Sequence, residues 1–125
     1  MALTIANEVR KAALDGIGPL LNSGKFVLKS SAPATLATLT LNATAFAAAS
    51  TASPSVAVSN SITASASATA GTVATFELQT SGNSARITGT VGVGSGDLQV
   101  TDNVIPSGTT SVTCTGGLSL SLQLS

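Results

Sequence analysis

Residues 72–93, TVATFELQTSGNSARITGTVGV, contain two runs that alternate between apolar and polar residues, separated by four turn-forming residues. Alternation with a period of two is typical of a β-strand with one buried and one exposed face. The intervening residues 81–84, SGNS, are typical of a tight turn. The stretch therefore predicts a β-hairpin. Its predicted inward residues are Ala74, Phe76, Leu78, Ile87, Val91 and Val93, and Thr75, Glu77 and Gln79 are predicted to face outward.

The period of two continues through most of the chain after residue 24. Further strands are predicted at 25–30, 35–43, 61–70, 97–100, 109–115 and 118–125. Many short strands with one-sided alternation predict a mainly β fold, an antiparallel β-sandwich of about seven or eight strands, with the sandwich at 25–125. The predicted core contains Leu39, Leu41, Phe76, Leu78, Ile87, Val91, Leu120 and Leu122.

Two of these predicted strands have an unusual composition on their faces, one rich in alanine and the other alternating leucine with uncharged polar residues. In SITASASATA, residues 61–70, Ile62 and four alanines are predicted to face inward while Ser65 faces outward, which implies close approach of the opposite sheet or of a neighbouring subunit. The final LSLSLQLS places Leu118 to Leu124 on one face and an uncharged row on the other. Strand edges without Lys or Pro invite pairing with another chain, so we expect oligomer partners to cover them.

The N-terminal residues 1–22 have a helical period instead. Ile5, Val9, Ala12, Ala13 and Ile17 recur at the spacing of one helix face, which predicts one amphipathic α-helix at about 4–21. Thr4 is a suitable N-cap, and Gly16, Gly18 and Pro19 are stop signals. The helix either closes one end of the core or docks onto a partner. At this length the chain is predicted to be a single domain, 1–125.

Composition excludes several classes of partner. Charged residues make up 8% of the chain and sum to zero, and the few basic residues are scattered, so we expect no nucleic acid partner. No continuous apolar run predicts a membrane helix, and we expect no membrane partner. Charges within residues 1–16 interrupt any secretory signal, which predicts synthesis in the cytoplasm. A weakly charged exterior favours contact with other protein.

The chain contains no histidine, which removes the commonest general base and the commonest metal ligand. We therefore predict no catalytic residues, no cofactor and no metal, and a protein that is not an enzyme. Asp97, Asp102 and Asn103 could hold calcium, although turn formation explains them better. An isopeptide bond would need Lys25 or Lys29 buried beside Glu77 and an asparagine.

Two other residues belong to weak motifs. Cys114 is the single cysteine, so no intrachain disulfide is possible. It shares a predicted strand face with Val112, which favours a buried, inert thiol over a reactive or interchain-bonded one. Asn42 begins a glycosylation pattern, NAT, that has no meaning without export.

The turn segments 81–84, 94–97 and 102–108 allow an alternative function. Together, SGNS, GSGD and DNVIPSG could present a site for a receptor or a carbohydrate. Their lack of aromatic residues argues against carbohydrate.

Several motifs together resemble a family of small virion proteins of tailed bacteriophages. These are the N-terminal helix beginning at LT, LATLTL running into AF, GTVATF, DL, and IPSGTTSV. The matching residues are Leu36, Leu39, Leu41, Ala45, Phe46, Gly71, Thr72, Phe76, Asp97, Leu98, Ile105, Gly108 and Val112. The resemblance implies a structural capsid decoration, or cement, protein. It would bind the major capsid protein on the outside of an icosahedral head and associate with itself, as a trimer. A tail or baseplate subunit is the alternative.

Overall fold

The computed structural model describes residues 6–51, 55–114 and 117–122, with backbone only for 120–122. Within these residues the chain is mainly β with one N-terminal α-helix, as the sequence predicts. The helix α1 spans Asn7–Asp15, and a 3-10 helix follows at Gly18–Leu21. The strands are β1 Lys25–Lys29, β2 Thr35–Thr40, β3 Ser55–Val58, β4 Gly71–Thr72, β5 Thr75–Gln79, β6 Ala85–Val93, β7 Leu98–Val100, β8 Val104–Ile105 and β9 Ser119–Leu122.

The described strands form three sheets. One sheet has five strands in the order β2-β1-β5-β6-β7, and two small sheets pair β3 with β9 and β4 with β8. All of these pairs are antiparallel except β6 with β7, which is parallel. The described pairing is thus mainly antiparallel, with β6–β7 as the exception, and a sandwich of seven or eight strands is not confirmed. One apolar core joins all three sheets to α1.

The hairpin predicted at 72–93 is confirmed as β5 and β6. Phe76 pairs with Gly89 and Leu78 with Ile87, and Asn83 takes a positive φ in the turn. The hairpin forms from local information, because its turn residues and its apolar faces agree. Phe76, Leu78 and Val91 are buried and Ile87 is half-buried, as predicted, but Val93 lies beyond the core and is exposed.

The core is centred on the inner face of the five-stranded sheet. Phe26 of β1 meets Phe76 of β5 edge to face, with ring centroids 6.1 Å apart. The predicted Leu39 and Leu41 are both buried. The side chains of Leu120 and Leu122, and the whole of Leu124, lie outside the described residues. Other buried members are Leu14, Leu21, Leu28, Leu36, Ala57, Val73, Ile105 and Leu118.

The β6–β7 connection at 94–97 is a turn, as predicted, but the strands that it joins are parallel. Residues 94–97 turn the chain back so that Leu98 lies beside Val91 and runs in the same direction. Two parallel strands that are neighbours in a sheet are ordinarily joined by a crossover connection of a dozen or more residues. Here the four-residue link suffices because the two strands overlap over only three residue pairs, and because Gly94 and Gly96 adopt positive φ.

Two predicted strands are wrong as regular elements. Residues 61–70 form only isolated bridges, Thr63 with Thr40 and Ala68 with Ala37. The described part of the predicted strand 109–115, up to residue 114, contains no strand. The predicted faces are also wrong: Ser65 is 4% exposed, whereas Ala64 and Ala66 are exposed. Ser65 is buried because it bonds to Val112.

The N-terminal α-helix is shorter than predicted, and most of its predicted inner face is exposed. The α-helix ends at Asp15, and the predicted cap Thr4 lies outside the described residues; Ala6 occupies the N-cap position. Arg10 and Leu14 face the core, while the predicted inward residues Val9, Ala12 and Ala13 are exposed. The predicted Ile17, just after the helix, is half-buried against the core, and Ile5 lies outside the described residues. Burial of Leu14, together with Leu21 in the 3-10 helix, removes more apolar area from water than burial of two alanines would.

Candidate interaction surface

The outward side of α1 carries apolar side chains. Val9 is 54% exposed, and Ala12 and Ala13 are exposed beside it at helical spacing. Leu20, in the adjoining 3-10 helix, is 55% exposed. We call Val9, Ala12, Ala13 and Leu20 the α1 surface. Because small and branched apolar side chains lie outward here, this surface is suited to contact with another protein.

Polar contacts hold α1 with this side outward. The Asp15 carboxylate accepts hydrogen bonds from Lys11 Nζ at 2.6 Å and from the Ala49 backbone N–H at 2.7 Å. The bond from Lys11, followed by the bond from Ala49, lowers the pKa of Asp15 below its ordinary value. The Ala49 bond connects the end of the helix to the loop before β3. Leu14, buried on the inner side, completes the attachment.

Of the two edges of β9, one pairs with β3 and the other has no partner among the described strands. β9 pairs with β3 in the register Ser55 to Leu122 and Val58 to Ser119. The opposite edge of β3 is covered, because the Ala47 and Ser50 N–H groups donate to β3 carbonyl oxygens. No other described strand pairs with the second edge of β9. Ser119–Leu122 also lacks Lys and Pro, the residues that ordinarily protect an edge.

The residues considered for calcium do not converge. Asp97 accepts from Thr90, Asp102 Oδ1 accepts from the Val104 N–H at 3.0 Å, and Asn103 Nδ2 donates to the Val73 carbonyl oxygen at 3.3 Å. Each side chain supports its own turn or neighbouring strand. In the part of the chain that the structure describes, no three Asp, Glu, His or Cys side chains gather at a metal-binding distance.

The residues considered for an isopeptide bond lie on the outer face of the five-stranded sheet. Lys29 Nζ donates to Glu77 Oε2 at 2.9 Å, and Gln79 Nε2 donates to Glu77 Oε1 at 2.9 Å. These bonds, with that from Gln79 the largest contribution, lower the pKa of Glu77. Lys25 instead donates to Asn83 at an exposed position. The three groups that the reaction needs are not buried together.

Cys114 and Val112 share an environment, as their positions predicted. Both are half-buried against the core. Burial raises the pKa of the Cys114 thiol, which keeps it protonated and weakly nucleophilic at neutral pH. Asn42 is exposed, and its Oδ1 accepts from the Thr44 N–H in a local turn.

The three turn segments considered as a receptor or carbohydrate site are separated. Segment 81–84 precedes β6 and segment 94–97 follows it, so they lie at opposite ends of a nine-residue strand. At the rise of an extended strand this separation is about 25–30 Å. Segment 102–108 lies at the same end as 94–97, because Asn103 bonds to Val73 just before β5. The three segments do not form one continuous site.

The chain matches no protein-family model, no curated protein and no solved structure. Among the described residues, no helix has the length and apolar character that a membrane span requires.

Proposed function

We propose that this chain is a structural virion protein that decorates the outside of an icosahedral phage head and stabilises the capsid lattice. The α1 surface is the observation that carries the proposal. Its exposed Val9 and Leu20 would be buried against the major capsid protein or against a second copy. The resemblance of several sequence motifs to those of small phage virion proteins points in the same direction.

The physical chemistry of the α1 surface suits permanent assembly. Burial of apolar area contributes about 25 cal/mol per Å². The alanines allow a partner backbone to approach closely. The four residues of the α1 surface are themselves uncharged, and the charged neighbour Glu8 is exposed one turn before Ala12. The open edge of β9 offers a second attachment, in which a neighbouring chain adds a strand.

The body of the proposed decoration protein is a two-layered β-sandwich. In this interpretation the five-stranded sheet is one layer, and the β3–β9 and β4–β8 pairs form the other, with the common core between them. We propose that trimers of this body, made in the host cytoplasm, clamp neighbouring capsid subunits. Preferential binding to the expanded lattice would stabilise it by mass action, without catalysis or cofactors.

Immunogold labelling of intact particles tests the location. Gold label on the head would support the proposed decoration of the capsid. Gold label confined to the tail would contradict this proposal and support a tail or baseplate subunit. Label on neither would contradict both.

Two valine variants test the α1 surface. Val9→Glu places a charge in it, and Val104→Glu is the matched control, since Val104 is 51% exposed on β8. We expect Val9→Glu to abolish oligomers in sedimentation and incorporation into particles, while Val104→Glu retains both. Equal behaviour of the two variants would reject the α1 surface as the contact.

A further inference from the structure

A pocket of about 360 Å³ penetrates the core beside β7. Buried side chains form its deep part, among them Phe26, Leu28, Val91 and Leu118. Half-buried residues, including Leu98 and Cys114, form its sides. The pocket therefore extends from the surface to the centre of the five-stranded sheet.

The volume is large for a protein interior. Cores are packed as densely as organic crystals, and a cavity of ~150 Å³ lined by similar side chains holds benzene. The pocket here has more than twice that volume, part of it in a mouth open to solvent. It therefore has room for a small organic molecule.

The mouth and the interior differ in polarity. The lining residues that are exposed are all polar: Gln99, Thr101, Asp102 and Thr113. An interface with a second copy would have apolar side chains at its surface, and none of the exposed lining residues is apolar. The exposed Val93 and Val104 lie beside the lining residues Val100 and Asn103 but outside the lining itself. A polar mouth above an apolar interior is the usual form of a small-molecule site.

The interior is also uncharged. The carboxylate of Asp102 is at the mouth and accepts the Val104 N–H, and Cys114 is a neutral thiol because burial raises its pKa. Asn103 is the amide-bearing or hydroxyl-bearing lining residue that is half-buried and not exposed, and its Nδ2 donates to the Val73 carbonyl oxygen. A charged ligand would find no partner within, whereas an apolar ring or short hydrocarbon would be surrounded by matching side chains.

We propose that this pocket binds an uncharged, mostly apolar small molecule carrying at most one hydrogen-bonding group directed toward Asn103. The proposal does not depend on the role in the virion. It adds a ligand site to a chain that is otherwise interpreted as structural.

Titration with the neutral fluorophore N-phenylnaphthylamine tests the pocket. We expect saturable binding to the full chain, weakened at least about tenfold by Val91→Phe, which fills the deep part. Val93→Phe is the matched control: it lies two residues away on the same strand face, but it is exposed and outside the lining. Absence of saturable binding, or equal binding by both variants, would overturn the proposal.

The wild-type thiol gives a second measurement that does not depend on a variant folding. Cys114 is the only cysteine, so the rate of alkylation by iodoacetamide at fixed pH reports on the pocket alone. At a fluorophore concentration ten times its Kd, the rate should fall about tenfold. An unchanged rate would overturn the proposal. So would loss of fluorophore binding as rising chain concentration drives self-association, because a second copy would then be the occupant.

Discussion

Thr90 and Asp97 are joined by three hydrogen bonds across the turn between β6 and β7. The Thr90 N–H and Oγ1 donate to Asp97 Oδ2 at 3.0 and 3.1 Å, and the Asp97 N–H donates to Thr90 Oγ1 at 3.1 Å. The carboxylate thus occupies the edge of β6 just before β7 begins to pair. This arrangement holds the short parallel connection in place.

Replacement of Asp97 by Ala should therefore loosen β7 before the rest of the sheet. We expect a lower urea midpoint and faster hydrogen exchange at Leu98–Val100, since the Thr90 N–H loses its acceptor. Asp102→Ala is the control, because its carboxylate accepts only from the nearby Val104 N–H. If both variants exchange alike at β7, Asp97 does not hold the turn.

Acid should destabilise the protein through three carboxylates, Asp15, Glu77 and Asp97. Hydrogen bonds to each carboxylate lower its pKa below the ordinary value of 3.8 for Asp or 4.5 for Glu. A carboxylate whose pKa is lowered in the folded state stabilises the fold at pH values above its ordinary pKa. This stabilisation is lost as the pH falls through the folded-state pKa. Thermal midpoints should be flat near neutrality and decline below about pH 4.5.

The variant Asp97→Asn supplies the check on this pH dependence. The thermal midpoint of this variant should be lower than that of the wild type at neutral pH. It should decline less in acid, because one of the three titrating carboxylates is gone. A decline as steep as that of the wild type would show that acid acts elsewhere.

Phe76→Ala should be among the most destabilising substitutions in the core. The ring is 9% exposed and packs edge to face on Phe26, so its removal leaves a cavity and should cost about 3–5 kcal/mol of unfolding free energy. Leu20→Ala, at an exposed position, should change the unfolding free energy by less than about 0.5 kcal/mol. Urea unfolding measures both, and a small loss for Phe76→Ala would contradict its place in the core.

Gly24→Ala should prevent normal docking of the segment before β1. A Cβ atom at Gly24 would lie 2.0 Å from the Gln79 carbonyl oxygen and 2.8 Å from that of Leu21, and neither backbone group can move aside easily. At Gly16 the nearest atom would be 3.4 Å away, so Gly16→Ala is a matched control that should fold normally. Circular dichroism melts distinguish the two, and equal midpoints would refute the close approach.

The exposed side of α1 shows why the local sequence pattern could not predict which side of this helix is buried. The apolar residues of α1 lie on two sides, Val9, Ala12 and Ala13 on one and Leu14 on the other, so the helical period predicts a helix without deciding which side is buried. Leu14 and Leu21 decide it, because these larger side chains are buried in the core, Leu14 from the helix that packs against β3 and β9. Val9, Ala12 and Ala13, which the sequence predicts to be buried, are therefore exposed and belong to the α1 surface.

The sequence by itself determined the elements whose signals are local. Turn residues and alternating faces specify the β5–β6 hairpin, and helical spacing specifies α1. Other features depend on distant partners and were decided only by the tertiary structure. Ser65 is buried because its Oγ accepts the Val112 N–H at 2.8 Å and its own N–H donates to the Val112 carbonyl oxygen at 3.0 Å. A polar group enters a core when such partners offset its desolvation, and no periodicity within 61–70 encodes the position of Val112.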